Sequence, residues 1–250
     1  MLMKQTIVLA ATAVLLFILP IIYIIFWRKK TKALWKPLFF GAIGFVVSAR
    51  VLELMVHYFF LILDSPVSRA IMGSTLLYVL YGITMAGFFE EVGRWVMFRV
   101  FCKKIEKRDD AVMYGIGHGG IEVWTVSLMA IVSYLVIAAT NGNGLPQEAL
   151  TTVMPAVEAF GVGMGVCNIV ERILCMGIHI SLTIVVFYGA RNRKKIYLFL
   201  AILLHMLIDT VPALYQRGVV GLPLTELWLL VCTIPICIFA HRLYKKMENN

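Results

Sequence analysis

Charge is scarce in this chain: 15% of its 250 residues are Asp, Glu, Lys or Arg, 61% are hydrophobic, and the mean hydropathy is +0.88. Soluble domains carry ~25% charged residues, so a soluble enzyme and a nucleic-acid-binding domain are both excluded. Cysteine chemistry is missing too. Cys102, Cys167, Cys175, Cys232 and Cys237 show no Cys-x-x-Cys spacing and four lie in apolar stretches, so they read as small core hydrophobes and a secreted disulfide scaffold is ruled out. There is no internal repeat and no low-complexity tract. No strand precedes the glycine sets Gly115/Gly117/Gly119/Gly120 and Gly161/Gly163/Gly165, which removes a nucleotide-binding fingerprint and leaves close helix packing as their reading.

What is present is long apolar runs. Seven of them, near 5–27, 37–63, 70–99, 111–139, 165–190, 196–215 and 222–244, are long enough at ~20 residues to cross a ~30 Å hydrocarbon layer. The fold class is therefore all-α, a polytopic helical membrane protein, because lipid offers no partner to unpaired backbone groups. The first run follows Lys4, is too long for a signal peptide and ends in Arg28-Lys29-Lys30 without a small-residue cleavage site, so it stays as span one.

The net charge of +9 carries topology information. Seventeen of the 23 Lys and Arg residues follow spans one, three, five and seven: Arg28, Lys29, Lys30, Lys32 and Lys36; Arg99, Lys103, Lys104, Lys107 and Arg108; Arg191, Arg193, Lys194 and Lys195; Arg242, Lys245 and Lys246. The other three linkers hold only Arg69 and Arg217. The positive-inside rule then puts the N-terminus outside and the C-terminus in the cytoplasm. The longest outer segment, from Thr140 to about Met164, opens with Asn141-Gly-Asn-Gly-Leu-Pro146 and is expected to hold a loop and a short helix lying on or dipping into the bilayer.

A charge near the bilayer centre costs at least ~2.5–3.5 kcal/mol, so each ionisable residue inside a span needs a partner, a water cavity or a function. Span three carries Glu90, Glu91 and Arg94; span four His118 and Glu122; span five Glu171, Arg172, His179 and Thr183; span six His205 and Asp209. Counted from the cytoplasmic ends at ~1.5 Å per residue, Glu91, His118, His179 and His205 all fall ~10–17 Å deep. Four helices thus bring carboxylates and three imidazoles to one level. His118/Glu122, His179/Thr183 and His205/Asp209 are i,i+4 pairs on one face, and Arg94 is within helical reach of both Glu90 and Glu91. Arg50, Glu53 and His57 run up one face of span two and read as a packing or assembly network, and Glu171/Arg172 as a structural pair able to neutralise a nearby carboxylate.

Peptide-bond hydrolysis needs an activated water, a stabilised oxyanion and a proton for the leaving amine. Glu90 or Glu91 can serve the first and last, a general acid–base contribution of ~10²–10⁴, assisted by Glu122 or His118. His118, His179 and His205 can hold a zinc ion with one open position; alternatively, without a metal, His179 and His205 donate to the oxyanion. Other intramembrane protease chemistries lack their residues: there is no His-Glu-x-x-His, and within the spans no Ser/Lys arrangement and no paired aspartates.

The order of Glu-Glu-x-x-Arg (90–94), Gly-x-Gly-His-Gly-Gly-x-Glu (115–122), Arg…His-x-x-x-Thr (172–183) and Leu-Leu-His-x-x-x-Asp (203–209) resembles the YhfC-type membrane peptidases. These belong with the CAAX prenyl protease, bacteriocin-immunity and PrsW-type proteases in one superfamily of membrane-embedded peptidases. The resemblance covers about residues 80–215. It implies that Glu90 and Glu91 match the catalytic Glu-Glu motif, His118 and Glu122 the second motif, and His179 and His205 the later histidines. The prenyl proteases place the arginine one residue later than Arg94, have a His where Glu122 lies and often an Asn at Asp209, so prenylated-protein cleavage is not implied.

The expectation is a single integral membrane domain over residues 1–250, with its catalytic core at about 80–215, in a bacterial-type plasma membrane. It would act as an intramembrane endopeptidase opening from the cytoplasmic side and cutting a membrane-associated peptide or protein, with catalytic Glu90, Glu91, His118, Glu122, His179 and His205. Arg94, Arg172, Thr183 and Asp209 would support them, and zinc would sit on His118, His179 and His205. Its rivals are a transporter or proton/metal carrier using the same polar cluster, against which the odd span count and missing repeat count, and a non-catalytic immunity or assembly protein.

Overall fold

The computed structural model describes residues 2–247, and among these every regular element is helical. Seven helices are long and apolar enough to cross a membrane: Met3–Thr31, Trp35–Ile62, Thr75–Phe101, Arg108–Thr140, Val162–Arg191, Ile196–Gln216 and Leu222–Lys246, here spans one to seven. They match the seven sequence-derived runs, and the chain is a multi-pass integral membrane protein. The distribution of side chains agrees with a lipid surround. Phe17, Ile22, Phe39, Ile62, Leu76, Phe199 and Leu203 point outward, while Glu90, Glu91, Arg94, His118, His179 and His205 are buried between helices.

The boundaries follow local chemistry. Span one ends where Lys32 takes a left-handed φ of 59°, and span four where Asn141 does so at 49°, the usual C-terminal stop. Residues 70–73, expected in span three, belong instead to a separate short helix, Pro66–Gly73. Ser65 and Ser68 form its capping box with Pro66 at its first position, and the extended Ser74 then caps the true start of span three by accepting from the Leu77 amide. In the outer segment a helix does form, Gln147–Ala159; its Val157 is fully buried and Gln5 Nε2 donates to the Glu158 carbonyl, which ties it to the start of span one.

Span five is the central helix. Of its most apolar 18-residue stretch 72% is buried, against 17–33% in the other six, and it packs on spans one, three, four, six and seven. Span four reaches it through glycines. A Cβ on Gly117 would lie 2.0 Å from the Leu38 carbonyl oxygen of span two, and one on Gly115 would lie 2.9 Å from Ile180 Cα. His118 is thereby clamped between two backbones that only small residues let so close. Gly165 likewise abuts Thr12, but Gly161 and Gly163 face open space, so the packing reading fails for those two; Gly161 instead starts span five in an extended conformation.

Several spans widen locally. Residues 46–53 and 58–62 of span two, 97–101 of span three and 123–128 of span four are π-helical. Such turns occur often at functional sites, and two of these four adjoin the polar cluster.

Candidate active site and metal centre

Span three presents Glu90, Glu91 and Arg94 on one buried face. Arg94 Nη2 lies 3.1 Å from Glu90 Oε2, and Nη1 bonds Glu91 Oε1. The guanidinium thus joins both carboxylates, at the i+4 and i+3 spacing the sequence predicts. His118 brings Nε2 to 3.0 Å from Glu90 Oε2, and His179 brings Nδ1 to 2.7 Å from Arg94 Nη2 and 3.7 Å from Glu90 Oε2. On its other side His179 Nε2 stands 2.5 Å from Glu122 Oε2, whose second oxygen faces Arg172 Nη1 at 3.4 Å; Arg172 also pairs with Glu171. His205 places Nδ1 2.7 Å from Glu91 Oε1 and Nε2 3.3 Å from Asp209 Oδ2.

The two adjacent glutamates therefore differ in environment. Glu91 is 0% exposed and locked between Arg94 and His205, whereas Glu90 is 7% exposed and borders two cavities. Of the two, Glu90 is the one that faces open space. Glu122 borders the same two cavities and faces His179.

Hydrogen-bond chemistry fixes one tautomer. A guanidinium only donates, so His179 Nδ1 accepts from Arg94 and the ring proton sits on Nε2, toward Glu122. The Nε2–Glu122 contact is off the line of a well-formed hydrogen bond, so it acts mainly as charge and orientation. His118 Nδ1 is buried with no partner among the described residues.

Glu90, His118 and His179 are the residues whose donor atoms converge, all within 4.8 Å of one another. Of the expected trio of three histidines, His118 and His179 are in this group and His205 is not. His205 is drawn away by Glu91 and Asp209, its ring centroid 6.3 Å from that of His179, and Glu90 takes its place. Two nitrogens and one oxygen suit a zinc-class ion, and the 3.0 and 3.7 Å separations bracket the roughly 3.3 Å edge of a tetrahedron with ~2.05 Å bonds. Glu122 behind His179 resembles the outer carboxylate that orients a metal-binding imidazole. Against this stands Arg94 Nη2, in contact with both Glu90 Oε2 and His179 Nδ1. It holds the position of a cation, and a metal on these donors requires that it withdraw.

Cavities meet the cluster from the charge-poor end of the helices. One of about 260 Å³ is lined by Arg50, Glu53, His57, Ala86, Glu90 and Glu122, and another of about 140 Å³ by Glu171, Arg172, His179, His205 and Asp209. A third, of about 360 Å³, continues past Asp209 to Tyr78 and Gln216. Toward the basic loops, Met97, Phe98, Tyr114 and Phe187 are all buried, with Phe98 ring centroids 4.6 Å from Tyr114 and 5.1 Å from Phe187. A cavity of about 560 Å³ on that side is bounded by Phe98 and Phe187 together with Arg99, Lys103, Arg191 and Arg193, and none of the cluster's residues lines it.

Thr183 is the supporting residue that falls outside. Its hydroxyl donates to the His179 carbonyl one turn back, a bond internal to span five. Conversely, Arg50 and Glu53 border the Glu90 cavity, which the packing reading of span two did not foresee. The depth count contains the signal: Arg50 stands 14 residues beyond Lys36, ~20 Å at 1.5 Å per residue, a few ångströms above Glu91.

Comparison with known proteins gives a consistent result. The model of the family described as YhfC intramembrane metalloprotease matches residues 15–230. The uncharacterized membrane protein YhfC of Bacillus subtilis (strain 168) is 34% identical over 226 residues, covering 87% of each chain. No solved structure matches.

Proposed function

The chain belongs to the YhfC intramembrane metalloprotease family, and from that premise we propose that it is an intramembrane endopeptidase of a plasma membrane, hydrolysing a peptide bond in a membrane-associated protein or peptide. The observation that carries this reading is the pair of carboxylates, Glu90 and Glu122, fronting a common cavity with His179 behind them and the bilayer all around. Packing alone has no need of ten ionisable groups linked by contacts within apolar spans.

Glu90, His118 and His179 would hold the ion, which when bound supplies a Lewis acid and an acidified water. The remaining roles belong to side chains. Glu122 keeps the His179 proton on Nε2, leaving Nδ1 as the basic nitrogen, and from its place in the cavity wall it takes up the proton of the attacking water. His205, with a carboxylate at each ring nitrogen, is a two-donor imidazole facing the 140 Å³ cavity, suited to protonate the leaving amine. Glu91 holds Arg94 and His205 in place. The domain spans residues 1–250 with the chemistry within about 80–215, its N-terminus outside.

A second reading has its own observation. With Arg94 retained against Glu90 and His179, no ion is bound, Glu90 activates the water, and His205 donates to the oxyanion. Metal analysis of detergent-purified protein separates the two. Proteomic comparison of membranes from wild-type and Glu90→Gln cells tests the shared claim: accumulation of one or more uncleaved membrane proteins in the variant supports it, and identical proteomes sink it.

A further inference from the structure

In span two, Glu53, His57 and Tyr81 of span three form a linked group: His57 Nε2 is 3.2 Å from Glu53 Oε1 and Nδ1 is 2.9 Å from the Tyr81 hydroxyl. Arg50 is not in it. Its guanidinium is exposed and makes no hydrogen bond or ion pair among the described residues. It is the sixteenth residue of a 28-residue span, so it lies near mid-bilayer, too deep to reach the headgroups fully. An uncompensated cation there costs ~2.5–3.5 kcal/mol or more.

Its location gives that cost a reason. The first half of span two packs along span four, where Gly41 abuts the Tyr114 carbonyl and Gly117 the Leu38 carbonyl. From the π-helical turn at 46–53 onward the two helices part. The gap is the 260 Å³ cavity, with Arg50, Leu54 and Val126 exposed around it and Glu90 and Glu122 among its walls. A path therefore runs from the lipid face, past one free guanidinium, to the reactive carboxylates.

We propose that Arg50 is a substrate-binding residue at a lateral opening between spans two and four, and that it pairs with a carboxylate of the incoming peptide. This rests on the peptidase reading and deepens it, by assigning the substrate an acidic group close to the bond that is cut. The lining points to an anion, and the peptidase reading makes that anion a carboxylate of the peptide. The planar guanidinium matches it bidentately, and Arg50 is the one permanent cation in a lining whose other ionisable residues are Glu53, His57, Glu90 and Glu122, so an anion that enters is drawn to Arg50. The carboxylate has two possible sources, a peptide C-terminus or an acidic side chain.

The test measures binding, so it is independent of turnover. Detergent-purified Glu90→Gln protein, with and without Arg50→Gln or Arg50→Lys, is titrated with fluorescent apolar decapeptides of three kinds: free C-terminus, C-terminal amide, and C-terminal amide with one internal Asp. With Arg50 present, one of the two acidic peptides should bind at least tenfold more tightly than the neutral amide, and which one identifies the source. Arg50→Gln should bind all three like the neutral peptide, and Arg50→Lys should restore part of the preference. Equal binding of all three, no binding of any, or a preference that survives Arg50→Gln overturns the proposal. So does thermal stabilisation of the Arg50 protein by phosphatidylglycerol that is lost in Arg50→Gln without any peptide preference, which would make Arg50 a lipid anchor. Failure of wild-type protein to accumulate cleaved products in cells would instead count against the peptidase reading.

Discussion

Arg94 Nη2 lies 2.7 Å from His179 Nδ1, the nitrogen that a metal ion would also use. The same Nη2 contacts Glu90 Oε2, so one guanidinium nitrogen bridges two of the three convergent donors. Ion and guanidinium compete for one position, and the competition has measurable consequences.

Zinc content should follow the trio of Glu90, His118 and His179. Glu90→Gln, His118→Ala and His179→Ala should each remove most of the bound zinc per chain, and Glu122→Gln should weaken it by about 10–100-fold, the usual effect of losing a carboxylate behind a metal-binding imidazole. His205→Ala should keep its zinc while losing activity. Elemental analysis of purified variants reads this directly; zinc lost with His205 and kept without Glu90 would restore the three-histidine site.

The two glutamates should separate by phenotype. Glu90→Gln should cut the turnover rate by ~10²–10⁴ and leave abundance near normal, since the amide fills the same space beside the cavity. Glu91→Gln and Arg94→Ala should lower abundance first, because each breaks a fully buried pair at a cost of ~3–5 kcal/mol. Membrane immunoblots alongside substrate cleavage distinguish these. A Glu91→Gln protein that is abundant but inactive would return Glu91 to the chemistry.

Much of this site is legible in the sequence because helical geometry is rigid. Counting ~1.5 Å per residue from the basic loops puts Glu91, His118, His179 and His205 at one level, and i,i+3 and i,i+4 spacing pairs Arg94 with both glutamates. Rotation about each helix axis is what the count leaves open. The ring of His205 turns toward Glu91 and Asp209, and Thr183 bonds its own backbone, because side-chain direction depends on neighbouring helices. The same gap hid Arg50: a π-helical turn shifts the face that follows it, and no hydrophobic pattern in the span records that shift.

Backbone contact between spans two and four predicts a severe steric response. Gly117→Ala places a methyl 2.0 Å from the Leu38 carbonyl oxygen, a backbone atom that cannot rotate aside, so the spans must separate and His118 with them. Thermal unfolding in detergent should fall by several degrees, an overpacking cost of ~1–3 kcal/mol or more. Gly163→Ala, which meets nothing within 4 Å, is the matched control and should be neutral. Equal stability of the two variants would refute the close approach.

The orientation proposed, with the N-terminus outside, rests on seventeen basic residues on one side against Arg69 and Arg217 on the other. Single cysteines at Asn143 and Arg217 should react with an impermeant thiol reagent from outside, and cysteines at Lys104 and Arg193 only after the membrane is opened. The native thiol two residues from Lys104, Cys102, is buried and its pKa is pushed up to about 11 by desolvation, so it carries little thiolate at pH 7 and adds little background there. The result also locates the lateral cavity. Because Arg50 and Tyr78 lie toward the charge-poor ends, outside labelling of Asn143 and Arg217 places the peptide's path in the outer half of the bilayer. Labelling of Lys104→Cys from outside would invert the chain and put that path in the inner half.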